Sequence, residues 1–202
     1  MSSRGLIPDT VTYTTLISGF YNAGRPQDAD KLLLEMQARG LSPSLVTVGV
    51  ILNYLCKNNY LKRAISFVRE VEDSGMKLDI INYSILIHGL VRAGKLEVAR
   101  ECFRSLPLKG LRPNTRIYNI LINGLCKQGH FSEAEMLFNT MEENGCSPDE
   151  CCYNTMIHGF LLNEETVKAS QLVDIMVDKG FSPHARIHLR NDIADMDSRS
   201  SE

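Results

Sequence analysis

Apolar residues recur along the chain at the spacing of an α-helix, in short segments that glycine separates. Between Tyr118 and Leu125, large apolar side chains occupy positions i, i+3, i+4 and i+7, which places them on one face of a helix. Gly129 interrupts this pattern, and a second segment with the same spacing runs from Ala134 to Met141. The pattern therefore predicts two consecutive amphipathic helices joined by a short turn.

This predicted helix pair recurs every 35 residues without insertion. Counting from Thr10 gives five units, which are residues 10–44, 45–79, 80–114, 115–149 and 150–184. One column of the units is always alanine: Ala29, Ala64, Ala99, Ala134 and Ala169. Another column is always glycine: Gly40, Gly75, Gly110, Gly145 and Gly180. The second unit departs most from the shared letters, so we expect it to be a degenerate copy.

The invariant columns indicate how each helix pair is built. A small alanine at the start of the second apolar segment lets the two helices approach closely, and glycine suits a helix end in the left-handed conformation. A single hairpin cannot bury its apolar face alone, whereas stacked hairpins form a continuous core. The sequence therefore predicts an all-α fold, a right-handed α-solenoid of stacked 35-residue helical hairpins whose first helices line a concave surface.

The two ends of the chain do not fill a complete unit. Met1 falls in the methionine column that contains Met36 and Met141, so residues 1–9 are predicted to be the end of a truncated preceding repeat. Residues 185–202 lose the pattern and are polar, and we expect a partly disordered tail there. We therefore interpret the chain as the C-terminal part of a longer array.

Charge and hydropathy narrow the range of functions. The chain has 22 basic and 24 acidic residues and a formal net charge of −2, so no global positive field indicates a nucleic-acid partner. A local basic stripe is compatible with this total. No apolar run approaches the ~20 residues that span a bilayer, so we expect no membrane partner.

The sequence lacks the motifs of catalysis and metal binding. Its six cysteines form no C-x-x-C pair, and no phosphate-binding loop, nucleophile elbow or zinc-deaminase motif occurs. Cys56 and Cys126 share one column among apolar residues, and we predict buried thiols there. His88 and His158 also share a column, and we interpret them as surface residues. The sequence therefore predicts no enzyme, no metal, no cofactor and no small-molecule substrate.

The letters of the units follow a known motif. The fourth unit reads Y-N-x-L-I-x-G-x-C-K-x-G, then A-x-x-L-F-x-x-M, then G-x-x-P-D, and it resembles the pentatricopeptide repeat. The resemblance covers residues 10–184, and the uniform unit length is similar to the pure (P-type) class, particularly its fertility-restorer-like plant members. It implies sequence-specific binding of single-stranded RNA, one base per repeat. It also implies a mitochondrial or chloroplast protein that acts in organellar transcript processing, stability or translation, with accessory RNA-processing proteins as further partners.

The resemblance also implies which residues choose each base. In the family these are the fifth and the last residue of a unit, and the last residue can hold the side chain of the fifth. Here the pairs are Thr14 with Ser44, Gly49 with Asp79, Ser84 with Asn114, Asn119 with Asp149, and Asn154 with His184.

The resemblance assigns a base to most of these pairs. The third pair looks like an adenine reader and the fourth like a uracil reader, while a Thr–Asp pair in the family prefers guanine. The first pair leans to a purine and the last to a pyrimidine. Gly49 has no side chain with which to read a base, so the second unit is expected to act as a spacer.

Two further columns complete the implied RNA site. The second residue of each unit wedges between neighbouring bases in the family, and this column is Val11, Val46, Ile81, Arg116 and Cys151. Arg116 departs from the aliphatic type, although a guanidinium can stack on a base. The column Lys57, Arg92 and Lys127 resembles the lysine that contacts phosphate.

Each of these assignments has a simpler alternative. Short polar residues at helix starts satisfy free backbone N–H groups, and Asp149 is well placed as such a cap. The basic column is equally explained as a solvated helix face. For the whole chain, the alternative to RNA binding is a helical-repeat scaffold that binds protein or peptide partners in its concave groove.

Overall fold

The computed structural model describes residues 8–182 and shows ten α-helices and no strand in that range. The helices are α1 (Thr10–Asn22), α2 (Pro26–Ala38), α3 (Leu45–Lys57), α4 (Leu61–Asp73), α5 (Ile80–Arg92), α6 (Leu96–Ser105), α7 (Thr115–Lys127), α8 (Phe131–Glu143), α9 (Glu150–Leu162) and α10 (Thr166–Asp178). The predicted all-α fold is confirmed. His184, most of the predicted preceding repeat and the predicted tail lie outside the described residues.

The odd-numbered helices begin 35 residues apart, at the first residue of each predicted unit. Every member of the alanine column is fully buried, as the predicted close contact between the two helices of a hairpin requires. The invariant glycines all have positive φ, from 74° at Gly110 to 86° at Gly75. Asn59 and Glu164 take the same left-handed conformation, with φ 61° and 60°, in hairpin turns where the other three units have glycine.

The chain divides after Ala93 into two compact units. In the first, α1 packs on α2 and α3, and α3 packs on α4 and α5. In the second, α6 packs on α7, α7 packs on α8 and α9, and α9 packs on α10. Within each unit, therefore, the first helix of a hairpin packs against the first helix of the next hairpin, and this contact positions the residues of interest.

These contacts between first helices bring two glycines very close to cysteine side chains. A Cβ placed on Gly89 of α5 would lie 2.5 Å from both Cβ and Sγ of Cys56 in α3. A Cβ placed on Gly159 of α9 would lie 2.5 Å from Sγ of Cys126 in α7 but 3.4 Å from its Cβ. Glycine at these positions therefore allows the helices to approach closely.

The second helix of the third hairpin departs from the others. The helix α6 ends at Ser105, and residues Pro107–Lys109 form a short 3₁₀-helix instead of a further α-helical turn. Proline has no backbone N–H and its ring clashes with the carbonyl four residues before it. Pro107 therefore explains why α6 is shorter than the other second helices.

Candidate nucleic-acid interface

The second-column residues project into solvent from the first turn of each first helix. Val11, Val46 and Ile81 are 70%, 68% and 62% exposed. Arg116 and Cys151 are also exposed. The first helices thus present side chains that could lie between the bases of an extended ligand.

The fifth-column residues are recessed beside these exposed side chains. Thr14 and Ser84 are 8% and 4% exposed, and Asn119 and Asn154 are half-buried. The hydroxyls of Thr14 and Ser84 donate to the carbonyl four residues earlier, at 2.7 and 2.8 Å. A hydroxyl whose hydrogen is used in this way can offer a ligand only an acceptor lone pair. The Asn154 amide likewise donates to the Glu150 carbonyl, at 3.0 Å.

Asn119 differs from the other residues of this column. Its amide nitrogen donates to Sγ of Cys151, at 2.8 Å, and its amide oxygen is buried with no hydrogen-bond partner among residues 8–182. A buried amide oxygen without a partner costs about 1–3 kcal/mol. Asn119 therefore holds an acceptor that a ligand donor could satisfy.

Each described residue of the last column caps the helix that follows it. Ser44 forms a capping box with Thr47, and Asp79, Asn114 and Asp149 each accept from backbone N–H groups in the first turn of the next helix. The capping interpretation therefore accounts for the position of these side chains. The carboxylates use Oδ1 for this contact, and Asp149 also accepts a hydrogen bond from the Cys152 thiol.

The expected contact between the last and the fifth residue is not seen at the fourth repeat. Asn119 donates to Cys151 instead of Asp149, whose Oδ1 accepts from the backbone N–H of Cys152 at 2.9 Å. The extended backbone of Asp149, with φ −95° and ψ 176°, is the capping geometry that directs its carboxylate onto the start of α9. Asp149 could therefore orient Asn119 only through its second oxygen.

The third column also borders the fifth, and sequence reasoning missed it. Thr47 Oγ1 lies 2.7 Å from Thr14 Oγ1, and both residues are buried. Asn82, the next residue of the third column, is 2% exposed and lies against Gly49. The available signal was polarity, because Ile117 and Cys152 fill this column with apolar side chains in later units. Polar residues of the third column therefore belong to the candidate site.

The predicted phosphate contacts are exposed in the last turn of their helices. Lys57, Arg92 and Lys127 end α3, α5 and α7, about 16 Å along the helix from the second column at 1.5 Å per residue. The basic residue of each helix follows its second-column residue by eleven positions. At 100° per residue this returns to nearly the same face of the helix, so the two side chains lie on one stripe. Cations also stabilise the carbonyls of a helix C-terminus.

Charge is divided unequally between the two sets of helices. The five first helices carry four basic side chains and one acidic side chain, whereas the five second helices carry seven basic and fourteen acidic side chains. The small net charge of the chain therefore conceals a positive surplus on the helices that bear the candidate site. This is the local basic character that the total charge left open.

The structure offers little to other kinds of site. Within residues 8–182, no group of three histidine, cysteine or acidic side chains is arranged to hold a metal ion. No helix of that range combines the length and apolar character needed to cross a membrane.

Three cysteines are held as neutral thiols by burial. Burial raises the pKa of Cys56 and Cys126 from the ordinary 9.0 to about 11, and that of Cys152 to about 12. Cys126 is buried as predicted, while Cys56 is half-buried. Cys151, in contrast, is exposed. The first helices thus carry both protected thiols and an accessible one.

We expect a thiol reagent to modify Cys151 much faster than Cys126 or Cys152 at pH 8, because Cys151 is exposed while the other two are buried and their raised pKa values leave little thiolate. Mass spectrometry of quenched samples measures the rates, and Cys151→Ser should lose one fast site. Rapid modification of Cys126 in the folded chain would contradict this result.

The raised pKa values also make stability depend on pH. Because the native fold favours the protonated thiols, their contribution to the free energy of unfolding should be present below pH 9 and be lost between about pH 9 and 11.

Models of one protein family match almost the whole described chain. The PPR repeat family model matches residues 8–57 and 113–161, the pentatricopeptide repeat domain model matches 66–128, and the PPR repeat model matches 46–76 and 151–181. Together they extend over residues 8–181. The chain therefore belongs to the pentatricopeptide repeat family, and the resemblance read from the sequence is confirmed.

Solved structures of helical-repeat proteins share the fold. The maize pentatricopeptide repeat protein PPR10 matches with a TM-score of 0.75 and 27% identity over 87% of this chain and 25% of its own. PPR10 in complex with an 18-nt psaJ RNA element matches with a TM-score of 0.72 and 27% identity over 88% of this chain and 26% of its own. The chain thus spans about a quarter of the length of that protein.

A more distant structure supports the fold alone. The PPR domain of Arabidopsis thaliana protein-only RNase P 1, in complex with tRNA, matches with a TM-score of 0.71 and 16% identity over 91% of this chain and 96% of its own. No curated protein sequence matches the chain. The stacked helical hairpins predicted from the 35-residue period are therefore those of a known class of helical-repeat proteins.

Proposed function

We propose that the chain binds single-stranded RNA along its first helices and reads one base per repeat. The observation that carries this proposal is the exposed stripe of the first helices, where aliphatic wedges stand beside recessed polar side chains and a basic residue ends the helix. A single strand offers flat bases for the wedges, base edges for the polar groups and phosphates for the cations. The RNA-bound structures of PPR10 support the same class of ligand.

The reading groups are taken from the family's pairing of the fifth and last columns. In this proposal Ser84 with Asn114 reads adenine, Asn119 with Asp149 reads uracil, Thr14 with Ser44 favours a purine and Asn154 with His184 favours a pyrimidine. The wedges Val11, Val46, Ile81, Arg116 and Cys151 separate neighbouring bases, and Lys57, Arg92 and Lys127 contact phosphates. Each of the five 35-residue units then binds one nucleotide.

The proposal extends to cellular role by family relationship. The uniform unit length favours the pure class and its fertility-restorer-like plant members. We place the chain in mitochondria or chloroplasts, where it would act in transcript processing, stability or translation with accessory RNA-processing proteins. RNA binding itself requires no catalysis by this chain.

A peptide-binding scaffold is the alternative function. Exposed aliphatic side chains on the first helices would also suit an apolar peptide. The charge of these helices favours RNA instead, because four basic side chains against one acidic side chain attract a polyanion. An acidic peptide would be attracted in the same way. A scaffold that binds such a peptide, however, has no reason to prefer one RNA sequence over another.

Salt dependence of RNA binding tests the proposed phosphate contacts. Three contacts give a slope of about −2 in log affinity against log salt, so affinity should fall roughly 20-fold between 50 and 200 mM salt. Fluorescence anisotropy with a labelled single strand measures this slope, with the corresponding duplex as competitor. The variant Lys57→Gln/Arg92→Gln/Lys127→Gln should lose most of it.

A matched control removes the same charge from the second helices. The variant Lys31→Gln/Lys62→Gln/Arg69→Gln should keep the wild-type slope, because these exposed residues lie on α2 and α4. Equal losses in the two variants would show that binding depends on total charge alone. Equal affinity for single strand and duplex would contradict the proposed function.

A further inference from the structure

The second repeat, which lacks a fifth-column side chain, has a cleft at its reading position. The cleft lies between α3 and α5, encloses about 320 Å³, and is lined by residues that include Val46, Gly49, Asp79, Ile81 and Asn82. This volume reaches the lower end of the range for small-molecule sites, about 300 Å³. This cleft is therefore bordered by two wedge residues (Val46 and Ile81), by the reading pair (Gly49 and Asp79) and by Asn82 of the third column.

Asn82 lies against the place that a side chain on Gly49 would take. Its amide nitrogen lies 3.2 Å from the Cβ position of Gly49 and donates to the Leu45 carbonyl at 3.1 Å. The neighbouring repeat shows the usual arrangement, in which Thr14 of the fifth column contacts Thr47 of the third. At the second repeat the fifth-column side chain is missing, and the third-column side chain reaches into its position.

The Asn82 amide is also incompletely satisfied. Asn82 is 2% exposed, and no group in the described part of the chain forms a hydrogen bond with its buried Oδ1. Asp79 uses Oδ1 to accept from the backbone N–H groups of Ile81 and Asn82, which leaves its Oδ2 as a second acceptor at the same cleft. Asn82 Oδ1 and Asp79 Oδ2 are therefore two acceptors at the cleft, which the amide of Asn53 also borders.

We propose that Asn82 reads the base at the second repeat in place of the missing Gly49 side chain, and that the base is guanine. This inference rests on the proposed RNA-binding function. Guanine presents two adjacent donors, N1–H and the N2 amino group, which match the acceptors of Asn82 and Asp79. The cleft, at about 320 Å³, has room for the larger ring of a purine. The second repeat is then a reader rather than a spacer.

Selection from randomised single-stranded RNA tests this inference with the full chain. The wild type should select guanine at the second of its five positions. Asn82→Val should lose that preference, about tenfold in affinity for guanine over uracil at this position, and keep the other four. The third column already holds buried apolar residues at Ile117 and Cys152, so valine suits the fold, and a thermal melt by circular dichroism checks this.

A second variant separates the two proposals. Gly49→Asn/Asn82→Val restores an Asn–Asp pair, which should read uracil if the fifth column chooses the base. If this variant selects uracil at the second position while the wild type selects no base there, the role of Asn82 is overturned and base reading by the fifth column is supported. A guanine preference that persists in Asn82→Val would overturn it too. Failure of every variant and of the wild type to select any base would overturn both proposals.

Discussion

Replacing Gly89 with alanine is expected to lower the free energy of unfolding by about 1–2 kcal/mol. The new Cβ would lie 2.5 Å from Cβ and Sγ of Cys56, and a Cβ cannot rotate away from the backbone that holds it. Overpacking of this kind costs about 1–3 kcal/mol, and occasionally more. Alanine's better helix propensity offsets up to about 1 kcal/mol of this cost. Urea denaturation followed by circular dichroism measures the difference.

Gly159 and Gly19 provide graded controls in the same column. At Gly159 only the Cys126 sulfur is close, at 2.5 Å, so a rotation of that side chain can relieve part of the clash. Gly159→Ala should therefore cost less than Gly89→Ala. Among residues 8–182, nothing lies within 4 Å of a Cβ placed on Gly19, so Gly19→Ala should be neutral or raise stability by up to about 1 kcal/mol.

Double variants test whether the sulfur is the cause. Cys126→Ala leaves its Cβ 3.4 Å from the new methyl group and should rescue most of the cost of Gly159→Ala. Cys56→Ala keeps the Cβ that lies 2.5 Å away and should rescue Gly89→Ala only in part. Equal effects of alanine at Gly19, Gly89 and Gly159 would contradict the close approach of the first helices.

The local structure was predictable because its causes lie close together in sequence. The 35-residue period located the helix starts, and the alanine and glycine columns indicated the buried contact and the left-handed turn. Asp149 before a helix was recognisable as a cap. The early end of α6 also has a local cause, since Pro107 stands within the second helical segment, although only the structure revealed the 3₁₀ turn that replaces it.

The contacts between repeats were not predictable from the columns. Asn82 meets Gly49, and Asn119 meets Cys151, across more than 30 residues of sequence, and the meeting depends on how far each helix is rotated. The resemblance directed attention to the fifth and last columns and treated Gly49 as blank. The third column becomes relevant only once the packing of α3 on α5 is known, because a one-position change in helix rotation moves a side chain by 100°.

The division of charge became countable once the helices were assigned. The net charge of −2 averages a positive set of first helices with a strongly acidic set of second helices. Composition alone therefore weakened the expectation of RNA binding, whereas the assignment of charges to helices strengthens it. The net charge of the whole chain argues against RNA binding, whereas the charge of the first helices argues for it.

Replacing Asn119 with threonine is expected to change the base preference of the fourth repeat from uracil to guanine. Asn119 has an unpartnered amide oxygen for the N3–H of uracil and an amide nitrogen for a uracil carbonyl. A threonine there should donate its hydroxyl to the carbonyl of Thr115, as Thr14 does to Thr10, and keep only acceptor capacity. Guanine, with two adjacent donors, then becomes the better match.

The fold should survive this substitution, because Thr14 already occupies the same column in α1. A mismatched base leaves polar groups unpaired at about 1–3 kcal/mol, which is about ten- to hundredfold in affinity. Asn119→Ala provides the control, since it removes both hydrogen-bonding groups and should lose preference without acquiring a new one. Thermal melts of the two variants show whether any loss of binding has a structural cause.

The most direct test of base reading is the ratio of affinities for two single-stranded RNAs that differ only in the base opposite the fourth repeat. Selection from a randomised pool first identifies the bound sequence and its register. Anisotropy titrations at one salt concentration then give the ratio for uracil and guanine. We predict that the wild type favours uracil and Asn119→Thr favours guanine, each by about tenfold or more. The same ratio in both proteins would contradict the account.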